Sequence, residues 1–176
     1  MELRNTCTED AADGLVFTLD IDEFLHPFYV GDLAGLMERE TEATACAIPQ
    51  LHLWQNPSRY ITGGYADIPH FRLFRWRAGC GYVENHDWPS DGNGEPLIAN
   101  QLRPALHVLG GRLAGPAIIH YGFCEGKTAM SEKNAYYLNR GEDATRPGTT
   151  SFRRAALEGR VPEGCKVHPY RGFLPA

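Results

Sequence analysis

The sequence is organised around residues 15–24, which read Leu15-Val16-Phe17-Thr18-Leu19-Asp20-Ile21-Asp22-Glu23-Phe24. The first half of this stretch is a short apolar run rich in Val, Phe and Leu, and Asp13-Gly14 precedes it as a turn signal, so it predicts a buried strand. The acids follow where that strand should leave the sheet, and ligands bind at the carboxyl ends of strands in open α/β sheets. We therefore expect a ligand site at Asp20 and Asp22.

The two aspartates stand two residues apart, so their side chains point to the same side while the chain stays extended. Paired carboxylates are costly unless a cation or a positively charged ligand compensates them. Oxygen ligands of this kind suit Mg²⁺ or Mn²⁺. The alternative interpretation is a pair of solvated turn acids after a core strand, and the rest of the chain has to decide between the two.

Length and composition describe an ordinary globular domain. The 176 residues suffice for one domain with a real core. The net charge is -5, so the sequence lacks the excess of basic residues that is typical of nucleic-acid-binding proteins. No apolar stretch is long enough to span a membrane, and the N-terminus lacks a secretory apolar segment. The five cysteines are scattered without C-x-x-C pairs, which favours reduced thiols and a cytoplasmic protein.

Residue patterns predict strands alternating with helices along the rest of the chain. The predicted helices cover residues 3–12, 32–41, 131–141 and 151–158, and Asp32 and Ser131 are candidate N-caps. The predicted strands cover residues 43–54, with Pro49 at a bulge or edge, 71–77, with its arginines on one face, and 117–121, ending in a histidine. Residues 161–176 are expected to pack as an irregular tail. The order predicts a single α/β domain, residues 1–176, with a mixed sheet flanked by helices.

Several stretches occur in a characteristic order, namely Leu19-Asp20-Ile21-Asp22-Glu23-Phe24-Leu25, Arg72-Leu73-Phe74-Arg75, Tyr82, His86-Asp87-Trp88, Ile119-His120-Tyr121-Gly122 and Lys133. In this order they resemble the family-two glycosyltransferases of the GT-A fold, in particular the bacterial branch with a D-x-D-E-F signature. The resemblance runs from about residue 4 to about residue 140. Each motif alone is weak, but together they are moderately specific and imply a GT-A-like fold.

The resemblance implies a metal site formed by Asp20, Asp22 and His120, which binds Mn²⁺ or Mg²⁺ on the pyrophosphate of a nucleoside diphosphate sugar. Asp20 also faces the ribose of that donor in the family. Arg72 and Lys133 match basic positions that meet phosphate or support the site. Taken without the family, a histidine such as His120 at the end of an apolar strand is more often a structural residue than a ligand.

The resemblance also implies a catalytic base at Asp87, where the family usually carries Glu or Asp, and Glu84 nearby is an alternative base. A carboxylate within hydrogen-bond reach can deprotonate the attacking hydroxyl of a carbohydrate or other acceptor. A metal held by oxygen ligands can neutralise the leaving diphosphate. One base, rather than a flanking acid pair, fits a transfer that inverts the anomeric carbon.

One departure from the family concerns the nucleotide-binding half, which precedes the D-x-D motif in GT-A enzymes. Only about 19 residues precede Asp20 here, so the fold is expected to be truncated at its N-terminus. Missing strands would leave a sheet edge open, and proteins normally cover such edges. Three explanations stay open: a homo-oligomer or a partner chain completes the donor-binding half, the sequence is a fragment of a longer enzyme, or the activity is lost.

Other interpretations remain open at this stage. A strand followed by D-x-D also opens haloacid-dehalogenase-type phosphatases, in which Asp20 would be the nucleophile, although Phe24-Leu25 do not supply the Thr or Val expected there. A protein that binds sugars or nucleotide sugars without turnover would keep the same fold. His120, Cys124, Cys165 and His168 have spacings that a Cys₂His₂ zinc site could use, although the two pairs lie far apart.

Overall fold

The structure is a computed structural model that describes residues 13–82, 88–139 and 147–173. These residues form a mixed α/β fold with three α-helices, which confirms the predicted fold class at that level. The helices are α1 (Pro27–Arg39), α2 (Lys127–Asn139) and α3 (Pro147–Glu158). The strands are β1 (Gly14–Phe17), β2 (Glu23–Leu25), β3 (Ala45–Ile48), β4 (Gln50–Trp54), β5 (Asn56–Thr62), β6 (His70–Trp76), β7 (Gln101–Leu102), β8 (Val108–Leu109), β9 (Arg112–Leu113), β10 (Ile118–His120) and β11 (Lys166–Pro169).

Two mixed sheets hold most of the strands. The first has the order β1-β6-β3-β7, and the second has the order β11-β5-β4-β10-β2. Within the second sheet β10 runs parallel to β4 and antiparallel to β2. Strands β8 and β9 form a separate two-stranded sheet. The strand order places the end of β10 between β4 and β2, and this is where the candidate site lies.

The predicted strand over residues 43–54 is two strands, β3 and β4, which belong to different sheets. Every residue of both strands is buried. Pro49 lies between them and has no N–H to donate, so it ends the pairing of the first strand. Its carbonyl oxygen accepts from the backbone N–H of Ile118 at 3.0 Å, which ties β10 to the start of β4. The expectation of one strand with a bulge is therefore wrong.

Helix α1 begins at Pro27, five positions before the predicted cap at Asp32. Proline suits the first turn of a helix because its fixed φ is helical and its missing N–H would be unpaired there anyway. His26 caps the helix, since its Nδ1 accepts from the backbone N–H of Phe28 at 3.3 Å. His26 and Pro27 therefore start the helix together.

The C-terminal half differs from the sequence-based expectation in three places. Helix α2 starts at Lys127 rather than after a cap at Ser131, and α3 starts at Pro147 rather than at residue 151. The predicted irregular tail, residues 161–176, contains β11, which pairs with β5 from Lys166 to Pro169. A proline at its end and single apolar residues hid this edge strand from the pattern. The helix predicted over residues 3–12 lies outside the described residues.

The core consists of three groups of buried side chains. The largest lies between α1 and the sheets and includes Leu33, Met37, Leu51 and Ile118. The second holds α2 and α3 against β4, and the third lies under β6 beside Trp76. No helix within the described residues has the length and apolar character needed to cross a bilayer. The candidate site lies where the first two groups meet, at the end of β10.

Candidate functional site

A turn between β1 and β2 separates the two aspartates of the D-x-D motif. The backbone N–H of Glu23 donates to the carbonyl oxygen of Asp20 at 3.0 Å, so the chain reverses through residues 20–23 instead of staying extended. Asp20 and Asp22 consequently meet different partners. The expectation that their side chains point to the same side is wrong, because it assumed an extended chain.

Asp22 lies at the centre of the first cluster, together with His120 and Lys133. Its Oδ2 atom is 2.5 Å from Lys133 Nζ and 3.4 Å from His120 Nε2. The carbonyl oxygen of Asp22 also accepts from the backbone N–H of Tyr121 at 2.8 Å, which fixes the turn beside the end of β10. The side chains of Asp22, His120 and Lys133 are 14%, 16% and 26% exposed, so the cluster is sheltered but open to a ligand.

The charges of this cluster reinforce one another. The hydrogen bond with His120 lowers the pKa of Asp22 most, burial opposes that shift, and Lys133 adds to it, so the pKa lies well below its usual value. Burial alone would lower the pKa of Lys133, but the hydrogen bond and charge of Asp22 raise it above its usual value. Glu125 stands 3.7 Å from the ammonium group of Lys133. Asp22 is therefore an anion and Lys133 a cation at neutral pH.

Gly122 lets the chain pass close to the cluster. A β-carbon at this position would lie 2.5 Å from His120 Cε1 and 2.6 Å from Asp22 Oδ2. Any side chain there would push the imidazole ring or the carboxylate away. The glycine in the sequence Ile119-His120-Tyr121-Gly122 is thus required by packing against the site itself.

His52 on β4 stands directly opposite His120 on β10 in the parallel register. The Nδ1 atoms of the two rings are 2.9 Å apart. Burial lowers the pKa of His52 well below its usual value, and the neighbouring His120 and His70 lower it further. His52 is therefore neutral at physiological pH.

Asp20 belongs to a second cluster with Glu23, Arg72 and Gln50. Arg72 donates from one terminal nitrogen to Asp20 Oδ2 at 2.5 Å and to Glu23 Oε1 at 2.6 Å. Gln50 Nε2 donates to the same Glu23 oxygen at 2.5 Å. The side chain of Glu23 is 1% exposed, whereas that of Asp20 is 44% exposed. Arg72 thus neutralises the buried side chain of Glu23 and also binds the more exposed side chain of Asp20.

A β-bulge directs Arg72 to these acids. Cys46 of β3 faces Leu73 of β6, but the next residue, Ala47, faces Phe71, so Arg72 is an extra residue in the ladder. Bulges re-aim the side chain of such a residue. Arg75 instead donates to backbone carbonyl oxygens near the end of α1. The expectation that the arginines of this strand share one face is therefore wrong.

The donor atoms of the first cluster fit a divalent cation in part. An aspartate oxygen and an imidazole nitrogen 3.4 Å apart can both contribute to a cation site. Mg²⁺ is usually held by one or two carboxylates together with substrate phosphates, so few protein ligands suffice. Among residues 13–82, 88–139 and 147–173, however, no group of three or more His, Cys, Asp and Glu side chains is placed to hold an ion. Asp22 and His120 lie together, whereas Asp20 forms an ion pair with Arg72.

The remaining predicted site residues have different outcomes. The predicted base Asp87 and its alternative Glu84 lie outside the described residues. Lys133 and Arg72 each contact one of the two aspartates. For the zinc alternative, His168 Nε2 lies 3.0 Å from Thr62 Oγ1, and Cys165 Sγ donates to the carbonyl oxygen of Gly63. The four zinc candidates do not form a metal-binding group within the described part of the chain.

Sequence reasoning missed His52, Glu23 and Gln50 as members of the two clusters. Gln50 and His52 are polar residues inside the run Gln50-Leu51-His52-Leu53-Trp54, every member of which is buried. A polar residue in a buried strand needs a partner, and this was the available signal. Burial raises the pKa of Cys46 to about 11, while burial and Glu125 raise the pKa of Cys124 to about 12, so neither thiol is a ready nucleophile.

Comparison with known proteins found no matching family model, no matching curated protein and no matching solved structure. Membership of a glycosyltransferase family therefore stays a prediction. The function proposed next depends on the resemblance of the motifs and on the two clusters described above.

Proposed function

We propose that this domain transfers a sugar from a nucleoside diphosphate sugar to an acceptor hydroxyl, with Mn²⁺ or Mg²⁺ as cofactor. The observation that supports the proposal is the meeting of Asp22, His120 and Lys133 at one partly exposed position. These three residues come from separate motifs of the resemblance and lie 111 positions apart at most. A shared location for them is what a donor-binding site requires.

Asp22 and His120 are the residues that would hold the cation. A bound divalent cation supplies Lewis-acid stabilisation to the charge that develops on the leaving diphosphate. Asp22 contributes a carboxylate that stays ionised even in acid, because its pKa is lowered. His120 contributes Nε2, the ring nitrogen that faces Asp22. Donor phosphates would complete the ligand set, since Mg²⁺ is commonly bound partly by substrate.

Lys133 is the residue that would bind donor phosphate. Its ammonium group neutralises Asp22 at 2.5 Å in the free protein. A flexible lysine side chain can turn from one anion to another, and it binds phosphate as a point charge. Arg72 and Asp20 lie in the adjoining cluster, where the open carboxylate of Asp20 would face the donor's ribose. The base that deprotonates the acceptor remains assigned to Asp87 by prediction, and the transfer would invert the anomeric carbon.

A second candidate function is binding of a nucleotide sugar without turnover. The observation that favours it is the separation of the predicted ligands, because Asp20 pairs with Arg72 and does not join Asp22 and His120. Such a protein would bind the donor with the same residues but would release it unchanged. The two candidates predict the same binding results and differ only in transfer.

A partner chain fits the open side of the first sheet. β1 pairs with β6 on one side, and no described strand pairs with its other side. Leu15 and Phe17 pack into one core group and Val16 into another, so apolar contacts cover both faces of this edge strand. Leu15, Val16 and Phe17 are only half-buried, and proteins normally cover an unpaired strand edge. We propose that a strand from a second copy of the chain or from a partner chain pairs there, which the oligomeric state in solution tests.

The function is tested by titrating the protein with UDP-glucose and GDP-mannose, with and without Mn²⁺. We expect metal-dependent binding of a donor that Asp22→Asn abolishes and Asp20→Asn weakens less. The two substitutions form a matched pair, since each replaces a carboxylate by an amide of the same shape. Asp22→Asn removes the ligand atom nearest His120, whereas Asp20→Asn changes the contact with Arg72.

Three results distinguish the candidates. Release of nucleoside diphosphate in the presence of glycan acceptors supports transfer, while metal-dependent binding without any release supports the binding protein. If the protein binds neither UDP-glucose nor GDP-mannose, both candidate functions are contradicted. Hydrolysis of p-nitrophenyl phosphate that Asp20→Asn abolishes would instead support a phosphatase with Asp20 as nucleophile.

A further inference from the structure

His52 is a buried polar side chain whose only defined hydrogen-bond contact within the described residues lies at the candidate site. The residue is 1% exposed and stands between Leu51 and Leu53 in β4. Its Nδ1 atom lies 2.9 Å from Nδ1 of His120. Its Nε2 atom is buried and has no hydrogen-bond partner among the described residues. An unpaired buried polar atom is destabilising, so packing alone does not favour histidine at this position.

The contact between the two Nδ1 atoms restricts where the protons lie. Two bare nitrogens or two N–H groups facing each other at 2.9 Å would repel, so one Nδ1 donates and the other accepts. The pair therefore has two neutral arrangements. In one of them His120 donates from Nδ1, and the lone pair of its Nε2 is then available to a cation beside Asp22. In the other His52 donates, and the Nε2 of His120 then carries the hydrogen that faces Asp22 in the cation-free protein.

We propose that His52 is a positioning residue that accepts a hydrogen bond from Nδ1 of His120 and thereby turns the Nε2 lone pair of His120 toward a cation held beside Asp22. This inference rests on the proposed function, because it gives the cation site a second supporting residue. Imidazole ligands of metals generally donate their other ring nitrogen to a neighbouring acceptor, which fixes both the tautomer and the ring orientation. His52 offers that acceptor from the neighbouring strand.

The surroundings of His52 help to hold its ring in place. The rings of Phe123, Tyr65 and His70 lie with their centroids 5.6, 6.0 and 6.2 Å from that of His52. Phe123 also contacts the ring of His120, at 5.1 Å. A ring fixed on several sides keeps its Nδ1 at one position. His120 therefore contacts a ring that is packed within the core.

The test compares His52→Asn with His52→Leu. The two replacement side chains have nearly the same shape, but the amide oxygen of asparagine can accept a hydrogen bond near the position of Nδ1 and leucine cannot. The measurement is the affinity of the free protein for Mn²⁺, followed by electron paramagnetic resonance without any sugar donor. We expect His52→Leu to lose about 10–100-fold in affinity, the range typical for supporting residues of metal ligands. We expect His52→Asn to retain most of the affinity.

The control pair is His168→Asn and His168→Leu. His168 stacks on Tyr60 with ring centroids 5.1 Å apart and contacts Thr62, away from the candidate site. Both control variants should bind Mn²⁺ like the wild type. Urea unfolding of every variant checks that the fold is kept, and His52→Phe, which fills the ring volume without an acceptor, replaces His52→Leu if the latter does not fold.

The outcomes separate this inference from the proposed function. Equal affinity of the wild type and His52→Leu, or equal losses in the asparagine and leucine variants, overturns the role of His52 while the cation site stands. Absence of Mn²⁺ binding by the wild type overturns the cation site and the role of His52 together. A lower Mn²⁺ affinity in His52→Leu, together with a nearly wild-type affinity in His52→Asn, supports both the cation site and the role of His52.

Discussion

The two acids of the D-x-D motif enter clusters of opposite character. Arg72 and Gln50 surround Glu23, whose side chain is 1% exposed, and Arg72 also holds Asp20. Asp22 is instead surrounded by a histidine and a lysine, both of which remain partly exposed. The first cluster neutralises a buried charge with a guanidinium group that stays protonated. The second has a lysine whose flexible side chain can turn away from the carboxylate.

This difference separates a structural role from a binding role. A buried acid with its own arginine holds the turn against β6, and exchanging that arginine for another cation would leave Glu23 poorly compensated. An aspartate neutralised by a flexible lysine can exchange the ammonium group for another cation at lower cost. The second cluster is therefore the part of the turn that is suited to bind and release a ligand.

The largest effect is expected from Arg72→Met. This change leaves the charge of Glu23 buried without its cation, and breaking a buried ion pair costs about 3–5 kcal/mol. Urea unfolding at pH 7 measures the loss in free energy of unfolding. Arg77→Met, at an exposed position just after the same strand, serves as control and should change stability by less than about 0.5 kcal/mol. Similar losses in both variants would contradict the structural role of the first cluster.

An intermediate effect is expected from Lys133→Met. The ammonium group now lies on the oxygen that a cation would use, so its removal should raise the Mn²⁺ affinity of the free protein about tenfold, or ~1.4 kcal/mol. Affinity for UDP-glucose in the presence of Mn²⁺ should fall, because a phosphate-binding charge is lost. Isothermal titration measures both affinities. Lys127→Met, at an exposed residue of the same helix, is the control.

Two results would contradict that prediction. If Lys133→Met leaves the Mn²⁺ affinity unchanged, the lysine and the cation do not share the oxygen of Asp22. If it lowers both affinities equally and also destabilises the protein, the lysine is structural and the two clusters do not differ in the way described.

The smallest effect is expected in the acid stability of the protein. The pKa of Asp22 is lower in the folded protein than its ordinary value of 3.8, so its ionised form stabilises the fold above that pH. This contribution is lost as the pH falls below the ordinary value toward the lowered one. Urea unfolding from pH 6 to pH 3 should therefore show a shallower decline for Asp22→Asn than for the wild type. Parallel declines would show that Asp22 is not stabilised by His120 and Lys133.

The parts of the site that could be predicted from sequence are those with a local signal. An apolar run before Asp20 and another before His120 predicted the strands β1 and β10, and the structure confirms both strands. The expectation that β1 is buried is wrong, because its apolar residues are only half-buried at the edge of the sheet. Helices α2 and α3 were predicted to start at Ser131 and Ser151, but Lys127 and Pro147 begin them one turn earlier. The pairing of His52 with His120 had no local signal, since it depends on β4 lying beside β10.

The sequence by itself determined that an acid pair follows a strand, that a histidine ends another strand, and that the domain combines strands with helices. These features depend on residue periodicity within a few positions. The predicted alternation of strands with helices is wrong, because among the described residues β3 to β10 follow one another without an α-helix between them. Only the tertiary structure decided that Asp20 pairs with Arg72 while Asp22 joins His120 and Lys133. The reason is physical, since a turn at residues 20–23 sends the two aspartates apart, and the registers of β6 and β10, set by strands far away in the chain, decide which charges they meet.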